Sequence, residues 1–253
     1  MSRRIRLLCA VAACLAWGAA ARPAAALSTL IDFDDLGVGE IVSTQYLASH
    51  GVSISATHLS GGPDAAITFD SLGNSGYDWD LEGPDWASGN LSDQVLGNIL
   101  IVPENVDDGD GDGLVDFPDD EGTRPAGILS FVFQTPVTEF GLDLIDVEPP
   151  DEMGYLAFFD AEGLVGEVSF EDLATADASV VYGDRSANRI APIAASAFEA
   201  ASFVEVQVHL GGSSAVDNIR FAPISEVPEP ATGLLLGLGL VGLGARRSRR
   251  AGA

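Results

Sequence analysis

Phe203-Val204-Glu205-Val206-Gln207-Val208-His209-Leu210 decides the fold class. Val204, Val206, Val208 and Leu210 alternate with Glu205, Gln207 and His209, and three of the four apolar residues are β-branched. Successive side chains of an extended chain point to opposite faces, so this stretch is a strand with one face in a core. Working outward, similar runs occupy 29–33, 51–57, 65–69, 96–102, 127–133, 137–146, 154–160, 164–170 and 215–221, separated by Gly, Pro, Asp and Asn. Residues 44–50 alone read as a helical turn or two. About ten strands with turn-rich breaks predict an all-β fold, an antiparallel two-sheet sandwich of jelly-roll type. No internal repeat and no long interior linker divides residues 27–226, which are read as a single domain.

The two ends read as addresses rather than fold. Arg3, Arg4 and Arg6 precede an apolar run from Leu7 to Ala21, and Ala24-Ala25-Ala26 offers a small-residue cleavage site. Residues 1–26 are therefore a secretory signal, removed by signal peptidase. Val11-Ala12-Ala13-Cys14 resembles a lipobox, but the apolar run continues beyond Cys14, which favours ordinary cleavage. Cys9 and Cys14 both lie in this segment, so the mature body holds no disulfide and no thiol chemistry.

At the other end Val227-Pro228-Glu229-Pro230 is followed by an apolar run over 231–245 and then by Arg246, Arg247, Arg249 and Arg250. At ~1.5 Å per residue that run makes a helix of about 22 Å, short for a ~30 Å hydrocarbon core. The arginines belong on the cytoplasmic side, which leaves the body outside, as the N-terminal signal independently requires. Val-Pro-Glu-Pro, apolar helix and basic end in this order resemble the PEP-CTERM sorting signal. The resemblance covers 227–253 and implies cutting by an exosortase, a membrane protease, after a transient stay in the inner membrane. It implies delivery to the cell surface or the extracellular matrix. An ordinary single-pass anchor is the alternative. Gly237-x-Gly239-x-x-Gly242 spells a dinucleotide fingerprint, yet no strand precedes it and no acid follows it, so no nucleotide is implied.

Charge supports an outdoor existence. The chain of 253 residues carries 12 basic and 38 acidic side chains, a formal net charge of −26. All the acids fall between Asp32 and Glu229, where only Arg124, Arg185, Arg189 and Arg220 oppose them. Such a body repels phosphate backbones and anionic lipid, which excludes nucleic-acid partners and confines membrane contact to the ends. It attracts divalent cations; adaptation to a salty or acidic setting explains the charge equally well.

The strongest chemical signal is the run Asp108-Gly109-Asp110-Gly111-Asp112-Gly113-Leu114-Val115-Asp116-Phe117-Pro118-Asp119. Asp108, Asp110, Asp112, Asp116 and Asp119 occupy positions 1, 3, 5, 9 and 12 of a calcium-type loop, with the Leu114 carbonyl at position 7 and Gly113 at the sharp turn. The spacing resembles the calcium loops of dockerins and thrombospondin type-3 repeats. Strands rather than helices flank it, and Asp119 stands where a longer Glu is usual. A structural Ca²⁺ is the expectation, fixing the crossover between the strands at 96–102 and 127–133, with Val115 turned inward. A solvated, metal-free loop is the alternative.

The opening Ile31-Asp32-Phe33-Asp34 and closing Val216-Asp217-Asn218-Ile219 resemble the terminal strands of carbohydrate-binding-module-like sandwiches. That resemblance implies a second metal position near Asp34 and Asp217, against the alternative of ordinary polar residues at strand ends. Tyr77, Trp79 and Trp86 lie among carboxylates and are candidates for stacking on sugar rings of an extracellular polysaccharide, or for plugging the core beneath a Gly-rich loop. His50, His58 and His209 show no zinc spacing, and no Gly-x-Ser-x-Gly elbow is present. No catalytic constellation stands out, so a structural or interaction role is expected before an adhesin, and an adhesin before a carbohydrate-active enzyme.

Overall fold

The computed structural model of the chain describes residues 28–73 and 78–224. The expected secretory signal, Tyr77, the Val227–Pro230 motif and the apolar run 231–245 lie outside the described residues. No described helix is long and apolar enough to cross a membrane. The described residues belong to one compact unit.

Ten strands are formed among the described residues: β1 (Thr29–Ile31), β2 (Val52–His58), β3 (Ile67–Asp70), β4 (Asn98–Ile101), β5 (Gly127–Ile145), β6 (Tyr155–Asp160), β7 (Gly163–Ser169), β8 (Ala187–Ala194), β9 (Phe203–Leu210) and β10 (Ala215–Pro223). Every pairing between them is antiparallel. Only β3–β4 and β6–β7 join sequence neighbours; the rest need crossover connections.

β5, 19 residues long, organises the whole. Its first half lies between β2 (Val52 opposite Phe133, His58 opposite Gly127) and β9 (Val132 opposite Glu205). Its second half lies between β10 (Ile145 opposite Ala215) and β8 (Ile145 opposite Ala187). One layer therefore runs β2-β5-β9-β6-β7, the other β8-β5-β10-β4-β3, with β1 against the later part of β10. The strand changes layer around Gln134-Thr135-Pro136, where the register with β9 shifts between Val132 and Val137. Pro136 has no N–H for a ladder, and its carbonyl accepts Ile224 N at 2.8 Å.

The layers face each other across one core. Leu129, Phe131 and Phe133 from the first half of β5 and Phe140, Leu142 and Leu144 from the second belong to it, with Val206 and Val208 of β9 and Ile219 and Phe221 of β10. Each such side chain contributes about 1.5–3 kcal/mol by leaving water. β4 is apolar on both faces: Leu100 enters this core, while Ile99 and Ile101 enter a second, outer one with Phe69, Leu81, Trp86 and Val115. In β9 the burial departs from strict alternation, with Phe203 buried opposite Val137 and Val204 only half-buried, where the register with β5 shifts between Val132 and Val137.

One buried charge group binds the second layer. Asp143 of β5, fully buried, accepts Nε and Nη2 of Arg189 at 3.1 and 3.0 Å from β8, and Nη1 of Arg220 at 2.9 Å from β10. Its hydrogen bonds, and then its charge, hold the Arg189 guanidinium above its ordinary value against the opposing effect of burial.

Two elements escape the period-two pattern. β8 contains Pro192, which breaks the strand signature; it is tolerated because β8 pairs only with β5. A helix, α2 (Phe170–Ala176), follows β7 directly, started by a capping box in which Ser169 Oγ accepts Asp172 N and the Asp172 carboxylate accepts Ser169 N. The helical turn expected over 44–50 is a four-residue helix, α1 (Leu47–His50). The runs 127–133 and 137–146 join as the single strand β5.

Candidate metal centres

The acidic loop leaves the sheet at Pro103 and returns at Asp120, which face each other in an antiparallel bridge. Glu104 N donates to Asp119 O at 3.1 Å and Glu121 N to Val102 O at 2.9 Å, closing the base. Inside, carboxylates take up backbone N–H groups. Asp108 Oδ1 accepts Gly111 N at 2.7 Å and Asp112 N at 3.2 Å, and Asp108 Oδ2 accepts Gly113 N at 3.0 Å. Asp112 Oδ1 accepts Leu114 N at 2.9 Å, and Asp116 Oδ2 accepts Gly109 N at 2.7 Å. Gly111 and Gly113 sit at φ +76° and +90°, the left-handed region that a side chain disfavours.

Carboxylate oxygens of Asp108, Asp110 and Asp112 come within 4.8 Å of one another, all on exposed residues. Asp116 faces an open cleft also lined by Asn105, Asp107 and Phe117. Val115 turns inward into the outer core, and its N–H donates to Gly39 O at 2.8 Å. Gly39 has φ +77°, and a Cβ there would collide with the Val115 carbonyl. The loop is thus docked on the segment before α1.

Asp119 stands apart from that trio: the structure places it with Asp78 and Asp120, whose carboxylate oxygens and its own lie within 4.8 Å of one another. The backbone bridge at the loop base turns the end of the run toward the domain instead of back into the loop. Asp78 is 9 % exposed and Asp120 6 %. Asp120 Oδ1 accepts the Ser213 hydroxyl at 3.2 Å and Asp120 Oδ2 the Ser214 N–H at 2.6 Å. Asp78 Oδ2 and Asp80 Oδ1 are buried with no hydrogen-bond donor. A second group, Asp80, Asp146 and Asp184, has the same mutual spacing. Asp146 directly follows β5 at φ +55°, and its Oδ1 accepts Arg185 N at 2.7 Å. Burial raises Asp78 and Asp120; hydrogen bonding with Asp80 and Asp120, then the charges of those two, adds to the rise at Asp78, and the charge of Asp119 adds to that at Asp120. Burial, then the charge of Asp80, pushes Asp146 up to about 8.

Asp34 and Asp217 do not join a third Asp, Glu or His in such a group among the described residues. Asp34 Oδ1 accepts Asn98 N at 2.8 Å. Asp217 is fully buried, with Oδ2 accepting Asn218 Nδ2 at 2.5 Å and Oδ1 without a donor. Burial, then the charges of Asp143, Asp34 and Asp32, push it up to about 9.

The aromatic candidates separate. Trp79 is 60 % exposed, with the Arg185 guanidinium carbon 5.2 Å from its ring centre. Trp86 is 4 % exposed, packs in the outer core and donates Nε1–H to Gln94 O at 3.0 Å. Its ring lies against Gly83, where a Cβ would collide with it. Trp86 is therefore a core residue with no free face for a sugar, a correction forced by the apolar lid that β3 and β4 require.

Sequence reading missed the grouping of Asp78, Asp80, Asp120, Asp146 and Asp184. The signal in Asp78-Trp79-Asp80 was available, but only long-range strand pairing shows which other acids meet it.

Residues 226–250 match the PEP-CTERM protein-sorting motif. No curated protein matches the chain. Among solved structures, the K2 cleaved adhesin domain of Lys-gingipain is similar at 14% identity and TM-score 0.38, over 78% of this chain and 98% of that one. The exo-1,3/1,4-β-glucanase ExoP from a Pseudoalteromonas species is similar at 10% identity and TM-score 0.34, over 71% of this chain and 20% of that one. Its extra C-terminal domain X, solved alone, is similar at 11% identity and TM-score 0.33, over 69% and 87%. At these scores the likenesses carry no argument about function.

Proposed function

We propose that this is an exported, non-enzymatic β-sandwich protein, released from a transient membrane stage by an exosortase to act at the cell surface or in the extracellular matrix in a structural or interaction role. The observation that carries this reading is the sorting motif at 226–250, which follows directly on a domain whose last strand ends at Pro223. Signal peptidase removes residues 1–26 on this reading, and the acidic body then operates outside. Mass spectrometry of the protein recovered from its native host tests it: a chain lacking both the first ~26 residues and the tail beyond Pro230 is expected. Recovery of the intact chain from cytosol refutes it.

The loop Asp108–Asp119 binds Ca²⁺ in the same reading, through Asp108, Asp110, Asp112, Asp116 and the Leu114 carbonyl. The closing of three carboxylates to 4.8 Å supports this. Hard cations take about six to eight oxygens, and extracellular loops bind them at ~0.1–1 mM. Asp112→Ala is expected to abolish that millimolar binding in a calcium titration, and an unchanged isotherm removes the assignment.

A second reading, polysaccharide binding, is favoured by the exposed Trp79 beside Asp80. Trp79→Ala that leaves retention on extracellular polysaccharide unchanged discards it.

A further inference from the structure

We propose that Asp78, Asp119 and Asp120 form a buried site for a calcium-class divalent cation, separate from the exposed acidic loop and placed beneath its base. Three distant parts of the chain build it: the 3₁₀ turn at Trp79–Leu81, the end of the acidic run, and the connection between β9 and β10 that supplies Ser213 and Ser214. The three carboxylates meet within 4.8 Å.

The observation that points to a ligand is the state of Asp78. This side chain is 9 % exposed, is aimed into the group, and has an Oδ2 buried with no donor. Asp80 Oδ1, next along the turn, is likewise buried without a donor. Burying an unmatched carboxylate is strongly unfavourable unless a cation or a set of donors meets it. No arginine or histidine ion pair among the described residues reaches any of these acids. Arg185, the nearest cationic residue in sequence to Asp184, turns its guanidinium to the Glu82 carbonyl and the Trp79 ring. Oxygen-only donors with several carboxylates select a hard cation, and no imidazole or thiolate is present to favour a softer metal.

The backbone is arranged to hold such a site. The Pro103–Asp120 bridge and the Ser213 and Ser214 donors fix Asp120, while Leu81 anchors the 3₁₀ turn in the outer core. Binding here links the turn, the loop base and the β9–β10 connection, which no ion pair among the described residues cross-ties. The site is independent of the sorting reading above, since it needs only the folded domain and the ion.

Equilibrium dialysis of the purified full chain against about 1 mM Ca²⁺, followed by metal analysis, tests the proposal. A loop variant, Asp108→Asn with Asp112→Asn, is expected to retain one equivalent of Ca²⁺. Asp78→Asn with Asp120→Asn is expected to lose one equivalent relative to wild type. In EDTA the Asp78→Asn/Asp120→Asn chain melts no lower than wild type, because its carboxylates no longer repel, and that melt shows that it folds. A loop variant that binds no Ca²⁺, or an Asp78→Asn/Asp120→Asn variant that binds as much as wild type, overturns the assignment.

Discussion

Replacing Asp143 by Asn removes one charge and almost no volume from the middle of the second layer. Asp143 Oδ1 accepts both Arg189 Nε and Arg220 Nη1, so the amide oxygen of Asn can keep those two bonds. The third, from Arg189 Nη2 to Oδ2 at 3.0 Å, becomes an N–H facing an N–H. Breaking a buried ion pair costs about 3–5 kcal/mol, but the Arg189 side chain is 46 % exposed and water replaces part of its loss. Arg220, at 18 % exposure, has less access to water. Asp217 close by is pushed up to about 9 by burial first and by Asp143 among the charges. A net loss of about 2–3 kcal/mol follows. For a domain of this size that corresponds to a fall in Tm of about 4–12 °C. Urea unfolding of wild type and Asp143→Asn at pH 7 measures it. A double-mutant cycle with Arg220→Met is expected to show stronger coupling than one with Arg189→Met. A variant within about 0.5 kcal/mol of wild type, which is the ordinary scatter of surface changes, refutes the view that this group ties β8 and β10 to β5.

Further expectations concern the rings, the helix start and a histidine. Trp86→Ala is expected to cost about 3–5 kcal/mol as a core truncation, and Trp79→Ala about 0.5–1 kcal/mol through its contact with Arg185, both read by chemical denaturation; equal losses would contradict their assigned places. Ser169→Ala is expected to destabilise by about 1 kcal/mol through loss of the α2 cap, and a neutral change would show that packing of Phe170 and Leu173 alone sets that helix. Burial against the Tyr155 ring, stacked at 4.0 Å, holds His209 below the ordinary imidazole value, with Glu167 opposing. The folded state therefore binds a proton less readily than the unfolded one. This contribution is absent above about pH 6.5 and lowers stability as pH falls from there toward the folded value. His209→Gln is expected to flatten that part of the stability profile, and an unchanged profile would exclude the histidine as its source.

The sheet was legible where strands have one wet face. Val206, Val208 and Leu210 announce β9 by alternation, and their burial agrees. β8 was hidden because Asn188, Arg189 and Pro192 interrupt any apolar pattern, and its stability comes from partners in β5 that a local window never sees. α2 carried a readable start in Ser169 and Asp172, masked by the strand pattern running into it. Among the acidic side chains, short-range spacing foretold that Asp108, Asp110 and Asp112 come together, because their contacts are local. It misplaced Asp119, because the bridge from Pro103 to Asp120 is a tertiary decision. Trp79 and Trp86 looked alike in sequence, and only the outer face of β4 distinguishes them, since Ile99 and Ile101 need a cover.

The long strand shared by both layers has a bearing on the order of events during secretion. Its second half is completed by β10, which also holds β1 and β4, so the second layer does not close before Pro223 is available. For a polypeptide threaded outward from its first residue, everything up to the threshold of the sorting segment must have crossed before the sandwich can lock. On the export reading proposed above, a tail that retains the chain at the bilayer until that moment would give the last strand time to find its place, and cutting thereafter would release a finished domain.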